Sequence, residues 1–162
     1  MNLEQKKLLK RYNNYLIAKA FSIVKLPMAF LAGLKILKID EEICQVSTKL
    51  NFLTKNPFRS IYFAVLSMAA ELSTGLYGML FVTGIHPSIA LIITGLKAKF
   101  LKKATGVITF TCLDGEKLRE AVTKAQGTSQ AVVVTVKSIG KNQFGETVAE
   151  FEFEWSFKQR KD

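Results

Sequence analysis

From Ile61 to Ile85 the chain runs 25 residues with a single charged side chain, Glu71. A helix of that length would cross a bilayer. A carboxylate near the middle of such a span is expensive in hydrocarbon without a partner. The run is also rich in small residues, among them Ala64, Ser67, Ala69, Ala70, Ser73, Gly75 and Gly78. A helix that is apolar nearly all round can equally be the buried centre of a globular core. The chain beyond Ile85 is strand-like and charged every few residues, which favours the buried reading. Such a helix needs other elements able to surround it.

The rest of the sequence supplies them. Residues 3 to 24 carry Leu8, Leu9, Tyr12, Leu16, Ala20 and Ile23 at helical spacing, with lysines in the remaining turns, and Pro27 ends the segment. Leu34 to Ile39 and Ile43 to Leu50 read as short strands around the turn Asp40-Glu41-Glu42. Asn56 is a good N-cap and Pro57 suits the first helical position, so the long helix is expected from about Phe58 to Phe81, closed by Gly84, His86 and Pro87. Strands come next at Ser88 to Phe100 and Val107 to Cys112. A short helix spans Asp114 to Ala125, and the last strands are Ala131 to Ile139 and Glu146 to Phe157. In the final strand Phe151, Phe153, Trp155 and Phe157 share one face and Glu150, Glu152 and Glu154 the other. Antiparallel strands with one charged face need cover on the apolar face only. An α+β fold, with a curved antiparallel sheet wrapped around one long helix, satisfies both patterns.

Lysine and arginine number 23 against 13 acidic residues, a formal net charge of +10. Such a field draws anions: nucleic acid, acidic lipid or a polyphosphate group. The cations are dispersed, with local clusters at Lys6, Lys7, Lys10 and Arg11, at Lys97, Lys99, Lys102 and Lys103, and in the tail at Lys158, Arg160 and Lys161. No helix-turn-helix, zinc-finger spacing or aromatic RNA-binding motif is legible, so a nucleic-acid partner is not the expectation. The basic N-terminal segment could lie on a membrane surface or cover its own core. Cys44 and Cys112 are too few for a zinc site, and no metal is expected. Without a secretory signal they read as buried thiols of a reducing compartment, the cytoplasm. Neither a phosphate-cradling glycine loop nor a paired-histidine metal motif is present, which removes the marks of dinucleotide, phosphoryl-transfer and metal-hydrolase chemistry.

Positions 64, 67, 71, 75 and 78 form one helical stripe, reading Ala64, Ser67, Glu71, Gly75 and Gly78. A stripe of small residues lets a backbone or a slim ligand approach. A carboxylate within it would be walled by apolar groups, which raises its pKa toward the range of a general base. A structural carboxylate pairing with a lysine is the alternative. His86, the one histidine, falls in a loop with no partners for a nucleophilic triad.

The segments Pro27-Met28-Ala29-Phe30-Leu31-Ala32-Gly33-Leu34, Asn56 to Ala64, Ala69-Ala70-Glu71-Leu72-Ser73-Thr74-Gly75 and Lys97 to Ala104, in that order, resemble the hotdog-fold acyl-CoA thioesterase superfamily. Within it the chain is most similar to the thioesterase-like branch catalogued as a domain of unknown function, DUF4442. The resemblance implies a hotdog domain over 27–158, preceded by an amphipathic helix at 1–26 and followed by a basic tail at 159–162. It implies hydrolysis of an acyl-CoA or related acyl-thioester, or binding of such a ligand without catalysis. In related thioesterases an asparagine starts the hotdog helix and an acid lies fifteen positions on, as Asn56 and Glu71 do here. A helix-start amide near Tyr62, Phe63 or Ala64 would polarise the carbonyl. The best-known branch has His-Gly-Gly where this chain has Tyr62-Phe63-Ala64, and a glycine of its loop is Arg59 here. Lys99, Lys102 and Lys103 are implied to meet the nucleotide end of coenzyme A, which arrives as part of the substrate, so no separate cofactor is expected. A homodimer or a dimer of dimers is implied as the assembly.

Overall fold

The computed structural model describes residues 1–160. Lys161 and the end of the 159–162 tail lie outside the described residues. The element order is α1 (Leu3–Tyr12), α2 (Tyr15–Lys25), α3 (Pro27–Leu31), β1 (Lys35–Ile39), β2 (Cys44–Lys49), α4 (Phe63–Val82), β3 (Ile89–Phe100), β4 (Val107–Cys112), α5 (Gly115–Gln126), β5 (Val132–Asn142) and β6 (Thr147–Gln159). Six strands form one antiparallel sheet in the order β1-β2-β4-β5-β6-β3. Helix α4 is the one described helix long and apolar enough to cross a membrane, and the sheet buries most of it.

The inward face of the sheet is the one its alternation predicts. Val46, Ile108, Phe110, Val136, Phe151, Phe153 and Phe157 are buried against Leu66, Ala69, Leu76, Tyr77 and Leu80 of α4. Each large side chain removed from water contributes about 2 kcal/mol. Small residues set how closely the helix sits. A Cβ on Gly78 would lie 2.8 Å from Leu91 Cδ1. Ser73 and Ser138 share a hydrogen bond of 2.7 Å, so the two polar groups that helix and β5 bury satisfy each other. Helix α5 covers the flank of α4 with Leu118, Ala121, Val122 and Ala125.

Strand β3 contains a one-residue bulge. Ile93 stands opposite Trp155 and Gly95 opposite Glu154, leaving Thr94 unpaired in the register. The apolar pattern Ile89, Leu91, Ile93 changes phase to Leu96, Ala98, Phe100 at that point.

Two expectations about helices are corrected. The segment 3 to 24 is not one helix: it breaks at Asn13-Asn14. The Asn14 side chain caps α2 by accepting from the Leu16 and Ile17 amides. Asn13 acts as a substitute strand neighbour for the sheet edge. Its Nδ2 donates to the Ile39 carbonyl at 2.6 Å, and its Oδ1 accepts from the Ile39 amide at 3.0 Å. Side chains that hydrogen-bond backbone in non-helical geometry compete with the helix.

The second correction concerns Asn56, which does not start the long helix. Helix α4 begins at Phe63. Asn56 instead closes a turn: its Oδ1 accepts from the Phe58 amide, the Ser60 amide and the Ser60 hydroxyl. Arg59 takes a left-handed φ of 59°, which halts helical propagation after Pro57.

Replacing Asn13 with alanine leaves the Ile39 amide and carbonyl without their partner. A loss of roughly 1–3 kcal/mol is expected, read as a lower urea midpoint with an unchanged slope.

Candidate active site

The turn that Asn56 closes delivers the chain to the start of α4. The Ile61 amide donates to the Ala104 carbonyl and the Tyr62 amide to the Thr54 carbonyl. Tyr62, one of three candidate donors, is thereby used. Among the described residues the backbone amides of Phe63 and Ala64 have no acceptor. They are the free donors that a helix start presents, with the positive end of the helix dipole behind them. A cavity of about 300 Å³ opens there, and Asn56, Phe63, Phe100, Lys102 and Lys103 are among its lining residues.

Glu71 lies on the same helix two turns further on. Its carboxylate turns toward Gly75, where an added Cβ would come within 2.8 Å of Oε1 and 3.3 Å of the Trp155 ring. The indole Nε1 is engaged, donating to Thr74 Oγ1 at 3.1 Å, and the Thr74 hydroxyl in turn donates to the Glu71 carbonyl. No donor among the described residues reaches the carboxylate. Burial alone therefore acts on it and pushes its pKa up from 4.5 to about 6. It opens on a second cavity of about 290 Å³, walled by Lys25 to Ala29 and by Met68 and Leu72.

The predicted residues thus fall into separate places. Asn56, Lys102 and Lys103 share the cavity at the start of α4, and Ala64 lies beside it. Lys102 donates to Glu146 and is paired with it there. Lys99 is exposed on β3 opposite Glu150 and lines neither cavity. His86 sits in the loop after α4, as read from sequence. Among the described residues no cluster of three His, Cys, Asp or Glu side chains could hold a metal.

What the sequence reading missed is the surroundings of Glu71. Trp155 lies 84 positions away in the chain and the α2–α3 elbow more than 40, so no local pattern announces either contact.

Within one chain the free amides and the acid cannot meet one carbonyl. Glu71 lies seven positions after Ala64, about 10 Å of helix rise, and the carboxylate turns further away.

Residues 15–157 match the sequence model of a family described as a domain of unknown function, DUF4442. No curated protein matches the chain. Among solved structures, a Pseudomonas aeruginosa protein described as a probable thioesterase aligns with a TM-score of 0.76 at 21% identity, over 91% of this chain and 97% of that one. A Shewanella oneidensis protein related to the thioesterase superfamily aligns at 0.66 and 14% identity, over 96% and 98%. A thioesterase from Haemophilus influenzae aligns at 0.65 and 10%, over 90% and 91%. These likenesses establish the hotdog fold.

The raised pKa of Glu71 has a testable sign. A carboxyl whose folded pKa exceeds its unfolded value stabilises the fold below the unfolded pKa. That contribution is lost as pH rises through about 6. Glu71→Gln should therefore be more stable than the parent by about 2 kcal/mol at about pH 8 and equal to it near pH 4, measured by urea unfolding.

Proposed function

Given that the chain belongs to the DUF4442 family and has a thioesterase-like hotdog fold, we propose that it hydrolyses an acyl-CoA or related acyl-thioester to free acid and thiol. One observation carries this reading: a half-buried carboxylate, its charged form disfavoured by desolvation and with no ion pair or hydrogen-bond donor among the described residues, stands at the edge of a cavity. A structural carboxylate would be expected to have a partner.

In the proposed reaction Glu71 takes a proton from water as the water oxygen attacks the thioester carbon. The oxyanion accepts hydrogen bonds from the Phe63 and Ala64 amides. Collapse breaks the carbon–sulfur bond, and the proton held by Glu71 passes to the departing thiolate. The amides and the acid must both lie within roughly 3–3.5 Å of the reacting group. One chain holds them too far apart, so the amides would come from a second copy. Strand β3 supports such pairing. It is a 12-residue edge with Ile92, Ile93, Leu96 and Phe100 exposed. An apolar edge of that length invites another strand. A homodimer, or a pair of such dimers, completes the site.

Lys103 and Lys102 suit the phosphates of coenzyme A at the mouth of the cavity beside α4. Cys44 and Cys112 stand opposite each other on β2 and β4, buried and unpaired, which fits the reducing cytoplasm.

Two measurements test this reading. Thiol release from short, medium and long acyl-CoAs should rise with pH through about 6 as Glu71 ionises. Glu71→Gln should lower turnover by about a hundredfold or more while the protein stays folded. A folded, fully active Glu71→Gln protein refutes the mechanism, and acyl-CoA binding without thiol release selects the non-catalytic reading. Sedimentation at micromolar concentration should give at least twice the chain mass of 18.1 kDa. Ile92→Lys with Leu96→Lys should reduce it to the monomer.

A further inference from the structure

The N-terminal helices divide into a packed part and a free part. Helix α1 is tied to the core. Gln5 Nε2 donates to the Phe81 carbonyl, Asn2 Nδ2 reaches the Thr83 and Gly84 carbonyls, and Tyr12 is buried. Its apolar side is thus occupied. Helix α2 buries only Ala18 and Ser22. Leu16, Ile17, Ile23 and Val24 are exposed, Leu16 by 73% and Val24 by 71%. Together with Ala20 they form one stripe at helical spacing. Met28 and Leu31 of α3 are also exposed, at 66% and 56%. The α2–α3 elbow is therefore an apolar ridge with no cover among the described residues.

The charge around this ridge is one-sided. From Gln5 to Ile39 the sequence holds eight lysines and arginines and no aspartate or glutamate. All eight are exposed, and only Lys38 is paired with a carboxylate among the described residues. Lys19 and Lys25 stand on α2 itself, and Arg11 and Lys25 border the groove that holds Ile17 and Val24. We propose that the α2–α3 elbow docks on an anionic lipid bilayer, with the apolar ridge in the interfacial region and the surrounding cations on the headgroups. An apolar helical stripe flanked by lysine is suited to that boundary. A second copy of the chain suits it less, because pairing the same face on both copies would oppose two cationic rims.

The elbow residues Lys25 to Ala29 also wall the cavity on which Glu71 opens. Docking brings that cavity to the membrane surface, where long acyl chains partition. The docking itself stands whether or not Glu71 is a catalyst, and its test reads lipid binding alone.

The full chain is sedimented with phosphatidylcholine vesicles with and without phosphatidylglycerol. Binding should be at least about tenfold stronger with the anionic lipid and should weaken with salt. Leu16→Ser with Val24→Ser, and separately Lys19→Glu with Lys25→Glu, should each reduce it about tenfold with an unchanged melting temperature. Leu16→Trp adds a reporter that does not depend on those variants. The chain's own Trp155 is buried, so an emission blue-shift on anionic vesicles reports insertion of the ridge. The proposal is overturned by absence of vesicle binding, by binding that the ridge variants leave intact, or by no Leu16→Trp shift. It is equally overturned if the ridge variants instead change the sedimented mass, which makes the face a contact between copies. Salt-sensitive binding to DNA that needs the lysines but not the apolar side chains, without vesicle binding, also overturns it.

Discussion

The structure depends on burying α4. A helix that is apolar nearly all round cannot rest on a surface; it must be wrapped. The antiparallel sheet does this with the inward aromatic row of β6 and its neighbours on β4 and β5. Helix and sheet approach closely because the helix carries alanine, serine and glycine where they meet. An added Cβ would lie 3.3 Å from the Trp155 ring at Gly75 and 2.8 Å from Leu91 at Gly78, so larger residues at these two positions would crowd β6 and β3.

The same packing produces the electrostatics of Glu71. Any charged group on this helix is drawn toward a dry interior unless the helix face is open. Glu71 sits where the wrap is incomplete, between the Trp155 ring and the α3 start. The tryptophan N–H beside it is committed to Thr74. The carboxylate is thus destabilised in its charged form by its surroundings. The lysines and arginines, by contrast, are all exposed among the described residues.

The N-terminal segment shows how one amphipathic pattern can be divided by tertiary contact. Its first half closes the end of the core and its second half leaves its apolar side uncovered. The division falls at two asparagines. One hydrogen-bonds an edge strand and the other caps the next helix. The elbow that results forms a wall of the cavity on which Glu71 opens.

Much of this is legible in the sequence. The wrapped helix, the inward row Phe151, Phe153, Trp155 and Phe157, most strand limits to within a residue or two, and the position of Glu71 midway along that helix are all consequences of periodicity. Periodicity is local: a residue's face is set by its near neighbours along the chain. Even the bulge in β3 left its trace, as a change of phase between Ile93 and Leu96. The start of α4 was not legible. Asn56 followed by Pro57 has the form of a helix cap, and only Ser60 and the left-handed Arg59 turned it into a closed loop. The separation of Asn56 and Lys103 from Glu71, the engagement of the Tyr62 amide by Thr54, and the break at Asn13 were likewise decided by the fold. These depend on which donor meets which acceptor across a turn or between distant segments. Hydrophobic spacing constrains the face a residue presents but not the partner that face will find, and that partner is selected only when the chain is packed.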